Sequence, residues 1–290
     1  MKKSENSVSF LFPVPKVKMV IGRTDFVLQR CKGKKVLHLG CVDEGLTEYR
    51  IKSGNLLHIK LMNVAKEVWG VDISAEGIEL LRKHGIDNIV VGDVEHIDQI
   101  EELKQQKFDI ILATEVLEHL NNPGIFLQRV KKLFSSDTVM IITVPNGLRL
   151  TGLGYTLRGY EFVHPDHNYW FSYKTLETLL EKNGYQIDEM LVYSFFDYTT
   201  PLLKKISEKI SVFHSSKAKL EGISTMLNET KEKGGAENRQ QQNILKSSLS
   251  LIKWMLEYLI RRYFYHRNPF FVSDGIIVVV KKSCLEKTVW

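Results

Sequence analysis

Short apolar runs alternate with helical patterns through the first two-thirds of the chain, and this alternation constrains the fold more than any other feature. Runs at 35–40, 67–71, 89–91, 108–113 and 138–144 are short and rich in Val, Ile and Leu, and they predict strands. Between them, 55–65, 75–84 and 124–134 read as helices. Parallel strands need a crossover, usually a helix, so this order predicts a parallel sheet with helices on its faces. Segment 172–183 places Leu176, Leu179 and Leu180 on one helical face, and Gly184 follows as a stop. A further strand is predicted at 185–196.

The chain changes character after Asp197. Residues 201–227 read as a basic helical stretch, and 228–243 (NETKEKGGAENRQQQN) as a mobile loop with almost no apolar residues. Residues 244–265 form an apolar, aromatic-rich helical pattern that runs into RRYFYHRNPFF. The β-branched run GIIVVVKK, 275–282, predicts a buried strand. If it pairs with 185–196, the segment between them is an insertion. The expected division is then 1–196 with 272–284 as one domain and 197–271 as a basic helical insertion.

The net charge of +6 is unevenly placed, because 201–290 carries 16 Lys+Arg against 8 Asp+Glu. A basic tail suits an acidic partner (anionic lipid, phosphorylated substrate or nucleic acid) or simply a solvated helical surface. Leu249, Ile252, Leu256, Leu259 and Tyr263 form a stripe expected to pack on the core, as a lid or homodimer helix. The alternative is peripheral membrane contact through 251–271, where Lys253, Arg261, Arg262 and Arg267 stand among aromatic rings. Three cysteines give no disulfide framework, which fits a cytoplasmic protein. The Pro-broken run 8–14 is no signal-peptide core, and no stretch reaches the ~18 apolar residues of a membrane span.

Four motifs carry chemistry. In KKVLHLGCVDEG a strand delivers the chain to Gly40, where a missing side chain lets a ligand approach the backbone. In VWGVDIS, Asp72 ends the next strand, where a carboxylate can accept hydrogen bonds from a ribose diol. Asp72 stands 32 residues beyond Gly40, further than the ~20 typical of dinucleotide sites. In VVGDVEHI, Asp93 again ends a strand; it suits an adenine amino group or a helix N-cap. The fourth is FDIILATEVLEHLNNP, 108–123.

Together these four motifs resemble the series of class I S-adenosylmethionine-dependent methyltransferases. The resemblance is strongest to the group with an EVLEHL strand-four signature, which includes quinone-ring, small-molecule and glycan O-methyltransferases. It covers roughly 36–185 plus the terminal strand. It implies an α/β, Rossmann-like seven-stranded sheet, mostly parallel, with an antiparallel last strand and a helical insertion before it. It also implies S-adenosyl-L-methionine as cofactor. Gly40 and Cys41 would line the methionine, Asp72 and Ile73 the ribose side, Asp93 and Val94 the adenine. Thr114 and Glu115 would face the methyl-donor pocket, with Pro145 and Asn146 near the substrate. The sequence departs from the family's pattern at His38, usually acidic, and at Val42, usually glycine, where it narrows the turn.

A hydroxyl acceptor benefits from a general base, most often histidine. His164 and His167, in EFVHPDHNYWFSY, and His119, in EVLEHL, are the candidates. The alternative is that they pack, cap or brace their loops. Glu115, Glu118 and His119 lie within one helical turn, but no second cluster completes a coordination shell, so no metal is expected. The function expected is methyl transfer to an oxygen, less readily a nitrogen, of a small-molecule, glycan or lipid-linked acceptor. Competing readings are a non-catalytic binding or scaffold protein with this fold and an NAD-dependent oxidoreductase. The latter lacks the three-glycine fingerprint. No RNA-binding module is visible, which argues against a nucleic-acid substrate.

Overall fold

A computed structural model of the protein describes residues 11–198, 200 and 236–283, and of 236–251 only the backbone. The chain enters through β1 (Lys18–Ile21) and α1 (Arg23–Cys31), then β2 (Lys35–Leu39), α2 (Thr47–Lys52) and α3 (Leu57–Met62). There follow β3 (Glu67–Asp72), α4 (Ala75–Lys83), β4 (Ile89–Val91), a 3-10 segment (Val94–Gln99) and α5 (Glu101–Lys104). Next come β5 (Ile110–Thr114), α6 (Pro123–Val130), β6 (Val139–Pro145), α7 (Leu150–Thr156), α8 (Tyr173–Lys182) and β7 (Tyr185–Ser194). Beyond the undescribed residues lie α9 (Ala236–Arg267), α10 (Pro269–Val272) and β8 (Gly275–Lys282).

The strands form one sheet in the order β1-β7-β8-β6-β5-β2-β3-β4. β8 runs antiparallel to both β6 and β7, and the other pairs are parallel. β8 is hydrogen-bonded on both edges, and its first six residues are buried, which is why GIIVVV is uninterrupted by polar residues. The expected seven strands are eight among the described residues. β1 was not anticipated: only Met19 of its four residues is buried, and its pairing with the edge of β7 is not written locally.

The order reverses direction at β2, which lies between β3 and β5. In open parallel sheets ligands bind at such a switch point, beyond the carboxyl ends of the strands. One face of the sheet buries Val36, Ile110, Leu112 and Ile141 against Val27 and Cys31 of α1 and Leu61 of α3. Elsewhere α6 buries Phe126, Leu127 and Val130, and α8 buries Leu176 and Leu180. Each such side chain contributes about 1.5–3 kcal/mol. α8 begins on a capping box between Ser172 and Thr175 and ends before Gly184, at φ 73°.

Two compact units separate: Met1–Phe195 with Asn268–Trp290, and Phe196–Arg267. In the second, the Tyr258 hydroxyl donates to the Thr200 carbonyl, and Arg262 Nη1 donates to the Tyr198 carbonyl at 2.8 Å. The helix expected at 201–227 lies outside the described residues, as do 228–235 of the expected loop. From Ala236 onward the loop expectation is corrected, because this stretch is already the first turns of α9. Ala, Glu, Arg and Gln favour helix without supplying any apolar periodicity. Of the stripe, Ile252, Leu256, Leu259 and Tyr263 are about half exposed, while Leu249 lies outside the described side chains. No described helix is long and apolar enough to cross a membrane.

Candidate active site

The turn after β2 is folded onto β3. Gly40 N–H donates to the Val71 carbonyl at 2.9 Å, and Gly40 sits at φ 67°, where a side chain would be strained. A Cβ there would also stand 2.9 Å from Val116 Cγ2. Asp72, at the end of β3, is buried, and its two oxygens join the loops on either side. Oδ2 accepts from Val42 N at 2.8 Å and Oδ1 from Ser74 N at 3.0 Å. Burial raises its pKa, and the Ser74 and Val42 hydrogen bonds oppose that. Beside it Ile73 is 73% exposed, an apolar side chain with no core to enter.

Val42, expected to narrow the turn, is directed away from it. A Cβ on Gly77, in the first turn of α4, would lie 2.3 Å from Val42 Cγ1, so Gly77 makes the room that Val42 fills. Cys41 is likewise turned inward against Gly70, and burial pushes its thiol pKa far up. Only the Cys41 backbone can face a ligand. His38 stacks on His58 with their Nδ1 atoms 3.3 Å apart. Both are buried. Burial first, then His58 and Arg23, lower His38 well below the usual histidine range; burial lowers His58 to about 4. The pair is neutral at pH 7. Asp93 caps the 3-10 segment through Glu95 N at 2.8 Å and its other oxygen meets His96 Nδ1 at 2.8 Å; Val94 beside it is buried.

A second knot lies at the end of β5. Thr114 is buried there, and Glu115 has φ 54°, the single positive value among described residues other than glycine. Its Oε1 accepts from Thr143 Oγ1 at 2.8 Å and Tyr193 OH at 3.2 Å, and lies 3.4 Å from Arg23 Nη1. Gly275 makes space for the Tyr193 ring, since a Cβ would stand 2.3 Å from it. Arg23, Thr143 and Tyr193 were not legible as site residues; a lone arginine in a helix carries no motif. Glu118 is fully buried with both carboxylate oxygens unpartnered among the described residues, and burial and Glu115 raise its pKa, which favours the neutral acid. Asn146 is a brace rather than an open group: its amide donates to the Phe270 carbonyl and to Ser273 Oγ, and Oδ1 accepts from Leu148 N.

The three candidate bases converge. One nitrogen from each of His119, His164 and His167 lies within 4.8 Å of the others. The 164–170 loop is strapped to the loop after β5: Asn168 N and Tyr169 N donate to the Glu118 carbonyl at 2.7 and 3.2 Å. Asn168 Nδ2 donates to the His119 carbonyl at 2.9 Å, and Tyr169 OH to the Asn121 carbonyl at 2.9 Å. Burial, then His119 and His164, lower His167 to about 4; burial and His164 also lower His119. Exposed Tyr155, Phe162 and Trp170 lie along the same 150–170 segment. Of the motif's Glu115, Glu118 and His119, only His119 joins His164 and His167 in this cluster. A cavity of about 520 Å³ near Pro15, Glu177 and Gln186 opens instead at the amino end of β7, away from these groups.

A doubly wound sheet with an antiparallel β8, a glycine turn and acidic strand ends define the class, an S-adenosylmethionine-dependent methyltransferase. The chain belongs to the methyltransferase-domain family, whose sequence profile matches residues 20–190. It is 28% identical over 185 residues to a ubiquinone biosynthesis O-methyltransferase of Bartonella quintana, covering 60% of this chain and 70% of that protein. It is 32% identical over 120 residues to a protein of the same name from Glaesserella parasuis, covering 39% of this chain and 46% of that one. A solved methyltransferase from Archaeoglobus fulgidus superimposes with TM-score 0.46 at 17% identity, covering 89% of this chain and 94% of that one.

Proposed function

We propose that the protein transfers a methyl group from S-adenosylmethionine to a hydroxyl oxygen of a small, aromatic or lipid-linked acceptor. The observation that carries this reading is the meeting of three imidazoles, two of them with depressed basicity, beside the β5 loop. The relatives' name, with its O-methyltransferase and ubiquinone, supports an oxygen on a ring-bearing lipid-like molecule. The cradle fits the cofactor: Gly40 leaves the strand end bare, the Asp72 oxygens keep further acceptor capacity, and Ile73 offers an exposed apolar contact. Thr114 and Glu115 border the same strand ends, and Asp93 and Val94 close the adenine side.

When bound, the cofactor supplies a sulfonium methyl that is already a strong electrophile. What remains for the protein is to align the acceptor, exclude water and remove the hydroxyl proton. His119, His164 and His167 are the groups placed to receive that proton, and Glu115 is held by Arg23, Thr143 and Tyr193 as a fixed wall. The test is formation of S-adenosylhomocysteine with a panel of catechols and hydroquinones. Methyl ethers should form and should be lost in Asp72→Ala. Absence of calorimetric binding of both S-adenosylmethionine and S-adenosylhomocysteine would overturn the reading and favour a scaffold protein.

A second reading concerns where the protein works. Half-exposed Ile252, Leu256, Leu259, Ile260 and Tyr263 share α9 with Lys253 and Arg267, which suits peripheral contact with anionic membranes and a lipid-linked acceptor. Co-sedimentation with anionic vesicles tests it. If the chain stays in the supernatant and light scattering gives a dimer mass, α9 is a homodimer element instead.

A further inference from the structure

We infer that His119, His164 and His167 form a mononuclear site for a divalent transition-metal ion of the zinc class, with a position open to an acceptor hydroxyl. Three ring nitrogens, one from each imidazole, lie within 4.8 Å of one another. A tetrahedral ion with ~2.1 Å bonds holds its nitrogen donors roughly 3.4 Å apart. The exposed rings of His119 and His164 need swing only by about an ångström to reach that spacing. His167 contributes what a chance surface cluster would lack: its Nδ1 is buried and has no hydrogen-bond partner among the described residues. An ion would satisfy it.

The loop that carries two of the ligands is built for position. Five hydrogen bonds from Asn168 and Tyr169, the fifth from Asn168 Nδ2 to the Leu120 carbonyl at 3.3 Å, hold it against residues 118–121, so His167 and His119 face each other edge to face with ring centroids 4.6 Å apart. Asp166 supplies the outer support that metal-bound histidines need. Its carboxylate lies 3.7 Å from His164 Nδ1, and its backbone hydrogen-bonds the His119 ring. Arg149 is the nearby opposing charge, and it is drawn onto the Phe162 and Trp170 rings while Asp166 offsets it.

The donor set decides the ion. Three imidazoles and no carboxylate favour Zn²⁺, Co²⁺, Ni²⁺ or Cu²⁺ over Mg²⁺ and Ca²⁺, which require oxygen ligands. Three protein ligands with an open fourth position is the composition of a catalytic rather than a structural zinc centre. A hydroxyl in that position releases its proton to water near neutral pH, so the ion would take over the role of the bases. This use rests on the O-methyl transfer proposed above; occupancy of the site does not.

The test is titration of the tag-free full chain with Co²⁺ and Zn²⁺, read by the visible bands of tetrahedral Co²⁺ and by calorimetry. One ion per chain is expected, with affinity weakened at least tenfold, roughly, in His164→Ala and in His167→Ala. His84→Ala, on the far end of α4, should bind as the parent does. Failure to take up one equivalent, or unchanged affinity in both loop variants, overturns the site. S-adenosylhomocysteine binding measured on the same samples separates the two ideas. Retained binding without metal uptake sinks the metal site alone, whereas lost binding with metal uptake sinks the methyl transfer alone.

Discussion

The two sides of the switch point are built in opposite ways. On the β2–β3 side the strand-end carboxylates are already engaged: Asp72 bridges Val42 and Ser74, and Asp93 holds Glu95 and His96, while His38 stacks on His58 with the Nε2 atoms of both unpartnered among the described residues. On the β5 side the loops are held at their backbones and the imidazoles are less fully engaged: three ring nitrogens converge within 4.8 Å, His164 Nδ1 accepts from Asp166 N at 3.3 Å, and His167 Nδ1 has no partner among the described residues. The contrast teaches a division of labour. On the function proposed above, the cofactor would meet a cradle whose carboxylates are pre-set, while the acceptor would meet a strapped cluster in which His167 Nδ1 has no partner among the described residues.

Breaking the first half at its centre should have the largest effect. Asp72→Ala removes the acceptor shared by Val42 N and Ser74 N together with the carboxylate offered to the ribose. Two charged hydrogen bonds lost to the ligand cost about 3–5 kcal/mol, roughly a hundred- to several-thousand-fold in affinity for S-adenosylhomocysteine. Calorimetry reads it directly. Co²⁺ binding by the histidines should be unchanged; a parallel loss there would show that the two sides are not separate.

The cradle also rests on a neutral pair that makes it pH-sensitive. His58, normally near 6.5, is lowered to about 4 by burial, and His38 is lowered too. The unfolded chain therefore binds protons that the folded chain refuses. The stability this contributes is complete above pH ~6.5 and is lost as pH falls toward 4, by about 3 kcal/mol for His58 alone. Denaturant melts between pH 7 and 4.5 check the slope, and replacing both histidines by Leu should flatten most of it. A slope that survives the replacement would place the acid-sensitive group elsewhere.

How much of this was legible in the sequence follows the same divide. Gly40 and Asp72 could be read because a bare strand end and a strand-end carboxylate are local requirements. Strands β2, β3, β4, β5, β6 and β8 announced themselves by apolar runs, whereas β1 buries one side chain and α1 only Val27 and Cys31, too few to set a period. The polar start of α9 is helical by propensity, which no apolar pattern records. The histidines could be named as candidates, but their convergence depends on Asn168 and Tyr169 reaching across to residues 118–121, a long-range fact. Arg23 and Tyr193 reach Glu115 from distant elements in the same way.

Val42 offers a finer test of the cradle, because its fit depends on a partner. In Gly77→Ala the new Cβ would lie 2.3 Å from Val42 Cγ1 and must displace it. Overpacking of this kind costs about 1–3 kcal/mol, against which alanine's helix preference returns up to about 1. The single variant should melt earlier and bind S-adenosylhomocysteine more weakly, while Val42→Ala combined with Gly77→Ala should recover both. If Gly77→Ala alone is harmless, Val42 is not wedged there and the turn is looser than its contacts imply.

The smallest expected effect tests the other half alone. Tyr169→Phe deletes one exposed hydrogen bond, from the hydroxyl to the Asn121 carbonyl at 2.9 Å, and leaves the ring in place. An exposed neutral bond contributes about 0.5–1 kcal/mol, so overall stability should barely move. The strap that presents His164 and His167 to His119 loses one of its five ties, and Co²⁺ affinity should fall roughly two- to fivefold. Affinity for S-adenosylhomocysteine should stay the same, because the cradle side meets this segment through Glu95, which accepts from Asn121 N and Asn122 N, and the substitution alters neither bond. Equal losses for both ligands would mean that the two sides are ordered as one cooperative unit. The pre-set cradle and the open cluster would then be a single property of the sheet end.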